Sequence, residues 1–447
     1  MTISIPAVPA QLLRQLNEAG FQAYVVGGCV RDSLMGRSPH DWDICTDALP
    51  EQVIRVFGED RVAKTGLQHG TVMVLREGAG YEVTTFRTDG TYSDHRRPDS
   101  VSFVRDLRAD LARRDFTINA MAYHPDTGVV DVFGGQADLK AGSIRCVGVA
   151  EERFREDGLR LMRAIRFASR FGFAVEADTA RAIHDCLPLL DDIAAERIFS
   201  ELKGFLIGTG VGPLLLEYRD LMGKILPELT PTFDFEQRNP HHCYDVYTHT
   251  AHVVAQVPPQ TVLRLSALFH DVGKPACWSR DGAGIDHFFN HAQKSVELAR
   301  SMLHRLRCDN KTRDAVLLQI RWHDLPLPQT LREGRRFLHR MGEEGALWSV
   351  DLHQGDAMAQ SLYRRTEKLE RVDKARDILH TLLEQQCCFS LKDLAVTGSD
   401  LIAAGCPKGP AVGKALNELL SLVLDGDVPN ERQALLDRFS GFAEKDW

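Results

Sequence analysis

The sequence predicts an α+β protein in which a head of mixed strands and helices is followed by a long helical body. Three observations carry this. Segments rich in β-branched and aromatic residues cluster in the first 150 or so residues, helical periodicity takes over from Glu151, and a proline-rich polar stretch near residue 240 precedes a second helical block.

At 447 residues the chain has room for about three domains of ordinary size, each with its own core. An apolar fraction of 44% and a charged fraction of 26% are those of a globular protein without long disorder. No basic segment leads into an apolar run at the N-terminus, and eighteen apolar residues never follow one another, so neither secretion nor membrane insertion is expected. Ten cysteines without a CxxC pair argue against a zinc ribbon or a disulfide framework and fit free thiols in a reducing cytoplasm. The formal charge of −8 weighs against a nucleic-acid partner. Arginines nevertheless concentrate between Arg87 and Arg170, with the pairs Arg96/Arg97 and Arg113/Arg114, which leaves room for an RNA-binding stripe.

Along the head, YVVGG at 24–28, TVMVLR at 71–76, YEVTTFR at 81–87 and SVSFVRDL at 100–107 read as strands, and PAQLLRQLNEAG at 9–20 and PEQVIRVFG at 50–58 as helices. The first strand ends in Gly27 and Gly28 and passes into a helix. Backbone N–H groups can there approach a phosphate, with Arg31 adding charge from the first helical turns; a plain tight turn has the same signature. Asp41 and Asp43 follow at i and i+2, which on a strand puts both carboxylates on one face about 7 Å apart at their Cα atoms. Hard oxygen ligands in that arrangement suit Mg²⁺, leaving positions for water and a triphosphate.

In FREDGLRLMRAIRFASRFG at 154–172, Leu161, Ala164, Ile165 and Ala168 make one apolar helical face, and Gly172 is the expected stop. Asp157 and Arg160 at i and i+3 are expected on one helical face as a carboxylate acceptor and a guanidinium donor. Such a pair matches the amino donor and ring-nitrogen acceptor of cytosine or adenine and fits guanine and uracil poorly; an ordinary surface ion pair is the alternative. Gly158 beside them is unfavourable inside a helix by about 1 kcal/mol, which points to a helix start or a close approach by another group.

With RRDFTINAM at 113–121, EDGLR at 156–160 and AERIFSEL at 195–202 in this order, the chain resembles the polymerase-beta-like nucleotidyltransferases, and within them the class II tRNA nucleotidyltransferases and bacterial poly(A) polymerases. The resemblance implies a polymerase-beta-like head with a mixed sheet and addition of C, C and A from CTP and ATP to the 3′ end of tRNA, with Asp41 and Asp43 on Mg²⁺. It also implies that Arg114 and Asn119 reach the triphosphate side, that Asp157 and Arg160 select the base, and that Arg163 and Arg166 contact the nucleotide. The polar stretch from Arg87 to Pro98 resembles a loop associated with the switch from C to A addition. Rival readings are a poly(A) polymerase or A-adding enzyme of the same family, and a phosphohydrolase whose first lobe only binds nucleotide.

In the second block, His270-Asp271 closes an apolar helical run, with His249 upstream and His291, His323 and Asp356 downstream. The order resembles the HD-type metal-dependent phosphohydrolases. That resemblance makes His249, His270, Asp271 and Asp356 the foremost ligands and His291 and His323 the next, while His241, His242 and His252 are expected in a linker or on the surface. Imidazole and carboxylate together suit Mn, Ni, Fe or Zn without choosing among them. The four expected domains are a head at 1–150, a helical neck with the selecting motif at 151–235, an HD domain at 240–365 and a helical tRNA-binding tail at 366–447.

Overall fold

The structure, a computed structural model, describes residues 2–64, 66–90 and 100–440. Two units form, one up to Pro227 and one from Glu228 onward.

The first unit opens with α1 (Ala7–Glu18), whose Leu12, Leu13 and Leu16 are buried against the sheet. Next come β1 (Ala23–Val26), α2 (Gly28–Leu34), β2 (Ile44–Thr46), α3 (Pro50–Phe57), β3 (Val62–Ala63), β4 (Thr71–Arg76) and β5 (Ala79–Thr85). The short pair β6 (Arg87–Asp89) and β7 (Val101–Phe103) leads to α4 (Leu107–Ala112), and β8 (Met121–His124) and β9 (Gly128–Asp131) finish the sheet. Its seven strands run in the order β3-β4-β5-β2-β1-β8-β9, with β2 parallel to β5 and every other neighbour antiparallel. The expected strand at 100–107 is shorter than its sequence pattern. Asp106 caps α4, accepting from the Arg108 amide at 2.9 Å, and so ends the extended run. Of the polar loop expected from Arg87 to Pro98, residues 91–98 lie outside the described residues.

Beyond the sheet the unit continues through α5 (Gly135–Ala141), β10 (Ser143–Ile144), α6 (Ala150–Glu156), α7 (Leu159–Phe171), β11 (Ala174–Val175), α8 (Ala177–Asp185), α9 (Ala195–Leu206), α10 (Val211–Glu217) and α11 (Arg219–Ile225). The predicted apolar face of α7, Leu161, Ala164, Ile165 and Ala168, is fully buried, and Gly172 closes the helix in the left-handed region at φ 69°.

In the second unit, the proline-rich stretch is more than a connector. Phe233 packs edge-on against Tyr247 at 4.5 Å, and the Val246 amide donates to the Phe235 carbonyl at 3.0 Å. Helices α12 (Val246–Gln256) and α13 (Thr261–Phe269) follow. The body is not helical throughout, because β12 (Ser279–Arg280) and β13 (Asp286–His287) form a small hairpin. Then come α14 (His291–Arg305), α15 (Asn310–Trp322), α16 (Leu331–Met341), α17 (Glu343–Ala359) and α18 (Arg365–Glu384), with a core including Phe337, Leu338, Val350, Leu379 and Leu382. A separate core from Cys388 onward gathers Leu401, Leu419, Leu420 and Phe439 from α19 (Gly398–Ala403), α20 (Pro410–Asp425) and α21 (Arg432–Ser440). Arg332 and Arg336 of α16 both grip Asp425 of α20, at 2.9 and 2.6 Å, and tie the two cores together. Among the described residues no helix is long and apolar enough to cross a membrane.

Candidate active site

Gly27 ends β1 at φ 80°, ψ −123°, a conformation that glycine alone adopts without strain. Its amide donates to Met121 O at 3.0 Å, and the Val26 amide donates to Asp43 O at 3.0 Å, so the turn is pinned between two strands. Asp41 and Asp43 lie in the extended run just before β2 rather than on the strand itself. The alternation still holds, with Trp42 buried and the two carboxylates on the opposite, more open side.

A third carboxylate stands beside them. The parallel register of β2 on β5 pairs Ile44 with Val83, bringing Glu82 next to Asp43. Burial, Glu82 and Asp41 push the Asp43 carboxyl up, and Arg114 offsets them. All three acids line a cleft of about 650 Å³. Two acids holding up a third's pKa is the electrostatic setting that a divalent cation relieves. Sequence reasoning missed Glu82 because its proximity to Asp43 depends on a non-local strand pairing.

Arg114 faces the glycine turn: a Cβ built on Gly27 would stand 2.9 Å from its Nη1. Its buried Nε has no hydrogen-bond partner among the described residues, and its Nη2 lies 3.6 Å from Asp110. A guanidinium held there with spare donor capacity is suited to an anion.

The other basic residues of the motifs are committed within the protein. Arg31 is 4% exposed; its Nε donates to Asp32 at 2.8 Å, its Nη1 to the Asn119 side chain, and its guanidinium lies over Phe167 and Phe171. Arg31 thereby joins α2 to α7, while its Nη2 stays close to Gly28, 3.6 Å from where a Cβ there would stand. Asn119 continues the chain by donating to Asp115 at 3.0 Å, and Arg163 of α7 donates twice to the same carboxylate, at 2.9 and 2.5 Å. Burial raises the Asp115 pKa, but Arg163 and Asn119 outweigh it and hold the carboxyl at about 2.

The helical-face expectation for Asp157 and Arg160 is corrected. Asp157 is extended, at φ −141° and ψ 104°, between α6 and α7, and Gly158 starts the new helix. Both reasons for a glycine apply there, since a Cβ would also sit 2.9 Å from Leu189 O. The Asp157 carboxylate pairs with Arg197 of α9 at 2.8 Å, while Arg160 pairs with Glu156 and donates to Arg153 O and Arg113 O at 2.9 and 3.1 Å. Arg166 is held by Glu201 of the same α9. The AERIFSEL segment thus braces the EDGLR stretch through Arg197 and the following turns of α7 through Glu201.

In the second unit, His249, His270 and Asp271 form one group of donor atoms and Asp271, His291 and His323 another, each within 4.8 Å and sharing the aspartate. Nδ1 of His270, His291 and His323 lies 2.7–2.8 Å from the carbonyls of Ala267, Phe288 and Ile320. A proton fixed on Nδ1 turns each Nε2 lone pair inward, the orientation metal-bound histidines take. The Nε2 atoms of His249 and His270 are buried without a well-aligned hydrogen bond and face carboxylates, Asp356 at 2.9 Å and Asp271 at 3.2 Å, so the cluster fits a metal ion. Burial raises the Asp271 pKa, but His270 and Lys274, whose Nζ is 2.6 Å away, hold it well below the ordinary range and keep it anionic. Asp356 reaches only His249, at 2.9 Å, and is held by Gln360 at 2.6 Å. His242 lies in the linking segment before α12, as expected, but is half-buried there: it packs edge-on against His249 at 5.2 Å, and burial with Lys274 lowers it to about 3. Lys274 was missed because it does not stand out among the histidines and aspartates of the HD spacing.

The head, with its glycine turn and acid cluster, matches the family described as Poly A polymerase head domain over residues 23–145. Residues 172–233 match "Probable RNA and SrmB-binding site of polymerase A", and residues 285–439 match tRNA nucleotidyltransferase domain 2. The fold and site define a nucleotidyltransferase. The CCA-adding enzyme of Lacticaseibacillus paracasei is 36% identical, covering 96% of this chain and 94% of its own, and that of Geobacillus kaustophilus is 37% identical, covering 95% and 94%. The crystal structure of the Bacillus stearothermophilus CCA-adding enzyme in complex with CTP superposes with a TM-score of 0.72 at 31% identity, covering 97% of this chain and 96% of that one. A Thermotoga maritima CCA-adding enzyme complexed with tRNA shares the fold, with a TM-score of 0.62 at 20% identity over 98% and 95% of the chains. The chain belongs to the CCA-adding enzymes, the tRNA nucleotidyltransferases.

Proposed function

We propose that the first unit adds C, C and A from CTP and ATP to the 3′ end of tRNA at the site formed by Gly27, Gly28, Asp41, Asp43, Glu82 and Arg114. The supporting observation is the convergence of a turn that only glycine adopts without strain, an arginine with a spare buried donor, and three acids, two just before β2 and Glu82 within the neighbouring β5. Asp41 and Asp43 would hold Mg²⁺, which when bound neutralises the triphosphate and aligns attacking and leaving oxygens. The 3′-oxygen of the RNA bonds to the α-phosphorus as the bond to the β-phosphate oxygen breaks; the hydroxyl proton is lost and pyrophosphate leaves. Arg114 draws the triphosphate to the Gly27 turn. Arg31, Asn119 and Arg163 act one step back, holding that turn to the neck through Asp115.

Asp157 and Arg160 read the base after exchanging their present partners, Arg197 and Glu156, for the Watson–Crick edge. The division into a head at 1–150, a neck at 151–235, an HD-like body at 240–365 and a tRNA-binding tail at 366–447 is part of this proposal, as is a cytoplasmic location, in keeping with ten free cysteines. Wild-type protein incubated with tRNA lacking its 3′ end and labelled CTP and ATP should give a product three nucleotides longer; incorporation of ATP alone into any RNA would favour a poly(A) polymerase.

A second reading concerns the body, and the shared Asp271 with its Nδ1-anchored histidines favours it. His249, His270, Asp271, His291 and His323, with Asp356 at the rim, would hold a transition metal such as Mn, Ni, Fe or Zn, which when bound supplies the charge for phosphate-ester hydrolysis. There Lys274 presents a fixed cation to the phosphate.

A further inference from the structure

The hairpin beside the histidine cluster ends in three aromatic rings that are placed differently. Phe288 turns inward, meeting Phe235 at 6.4 Å and the Lys274 ammonium at 5.4 Å. Phe289 turns outward and is 72% exposed, with its ring stacked on that of His287 at 5.4 Å and only 5° between the planes. His287 is itself fixed, with Nε2 2.8 Å from the Asp281 carboxylate. Asp286 anchors the hairpin by accepting from Trp278 Nε1 at 2.9 Å and from the Arg238 amide at 2.8 Å. Asn290, left-handed at φ 63°, then turns the chain so that the next residue is His291 of the metal cluster, whose Nδ1 is tied to Phe288 O.

His287, Phe289, His291, Asp271 and Lys274 all line one pocket of about 500 Å³. Two consequences follow. A flat aromatic surface is held at a fixed offset from the donor cluster, since two residues span at most about 7 Å of chain. It also remains open on its outer side, so a third flat ring can continue the stack. Asn239 and Asn290 line the same pocket and offer amide donors and acceptors at its edge.

We propose that the His287–Phe289 stack receives the base of a nucleoside phosphate whose phosphate group lies against the His/Asp cluster and Lys274. This rests on reading the cluster as a metal site, and it narrows the ligand class from phosphate esters in general to nucleotides, free or at an RNA end. Stacking on an aromatic ring is tolerant of base identity, so the pocket accepts all four bases with modest preference.

The test is equilibrium binding to the full chain loaded with Mn²⁺ and carrying Asp41→Ala and Asp43→Ala, which remove the metal-holding acids of the transferase site, with no other nucleotide present. The probes are 3′-AMP, ribose phosphate as the same anion without a base, and a short oligoribonucleotide ending in a 3′-phosphate. Wild type should bind 3′-AMP about tenfold or more tighter than ribose phosphate. Phe289→Ala should remove most of that difference while leaving ribose phosphate binding unchanged, and Phe289→Tyr should restore it. Tighter binding of the oligonucleotide than of 3′-AMP identifies an RNA end as the ligand; the reverse identifies a free nucleotide. Equal affinity for 3′-AMP and ribose phosphate, or no effect of Phe289→Ala, overturns the stacking site and leaves the metal reading intact. Failure to retain Mn²⁺ in dialysis, with no phosphate binding that Asp271→Asn reduces, overturns the metal reading and this inference with it.

Discussion

A Cβ on Gly27 would stand 2.9 Å from Nη1 of Arg114, and Gly27 holds φ at 80°, where side chains are strained. The turn and the arginine are fitted to each other, so Gly27→Ala both strains the backbone and displaces the guanidinium. The strain is worth about 1–3 kcal/mol. CTP incorporation should fall by about 10- to 100-fold, because small misplacements near a reacting centre are amplified, while the melting temperature drops by only a few degrees. Steady-state incorporation alongside a melting curve separates the two effects.

Base choice is predicted to depend on two residues that at present bond elsewhere. Arg160→Ala should weaken the preference for C and A by about 1–3 kcal/mol for each bidentate pair of hydrogen bonds it removes from the base. Arg197→Ala, which frees the Asp157 carboxylate from its 2.8 Å partner, should alter selection without touching the acids of the cleft. Single-turnover incorporation from each of the four NTPs reads both variants; an unchanged preference in both would move selection to other residues.

Asp115 gives a pH signature. Its carboxyl is held at about 2 against an ordinary 3.8, burial being outweighed by Arg163 and Asn119, so its ionised form stabilises the fold. That contribution, about 2 kcal/mol, is complete above pH about 4 and is lost as pH falls toward 2. Asp115→Asn lacks it. Denaturant midpoints of wild type and variant should differ by a constant amount at neutral pH and converge below pH about 4.

The two donor groups share Asp271, which makes it decisive for the body. Asp271→Asn should abolish retention of transition metal after dialysis, as measured by elemental analysis. His270→Ala, which disrupts only one of the groups, should reduce it partially. Both variants should keep CTP and ATP incorporation, because no transferase residue belongs to the cluster. Loss of incorporation by a folded Asp271→Asn protein would mean the two sites are not independent.

Much of the fold is readable from the chain, for reasons that can be named. Strand β4 coincides with TVMVLR, and the apolar face of α7 is the one the periodicity picks out, because local pattern and burial agree there. The order of His249, His270, Asp271, His291 and His323 is legible through the HD resemblance, although they come together from α12, the end of α13, the start of α14 and the end of α15 by tertiary packing. What escapes a sequence reading is non-local. Glu82 joins Asp43 only through a parallel strand pairing, and Arg197 reaches Asp157 from forty residues away. The sequence shows the charge of Arg31 but not the ring pair and the Asn119 side chain that position it.

The central claim is that the acids beside the Gly27 turn perform nucleotidyl transfer to tRNA. Asp43→Ala, assayed with labelled CTP and a tRNA lacking its 3′ end, tests it most directly, with tRNA affinity measured on the same sample by filter binding. Incorporation should be abolished while tRNA binding stays close to wild type. Activity within threefold of wild type in the folded variant would contradict the assignment and with it the mechanism.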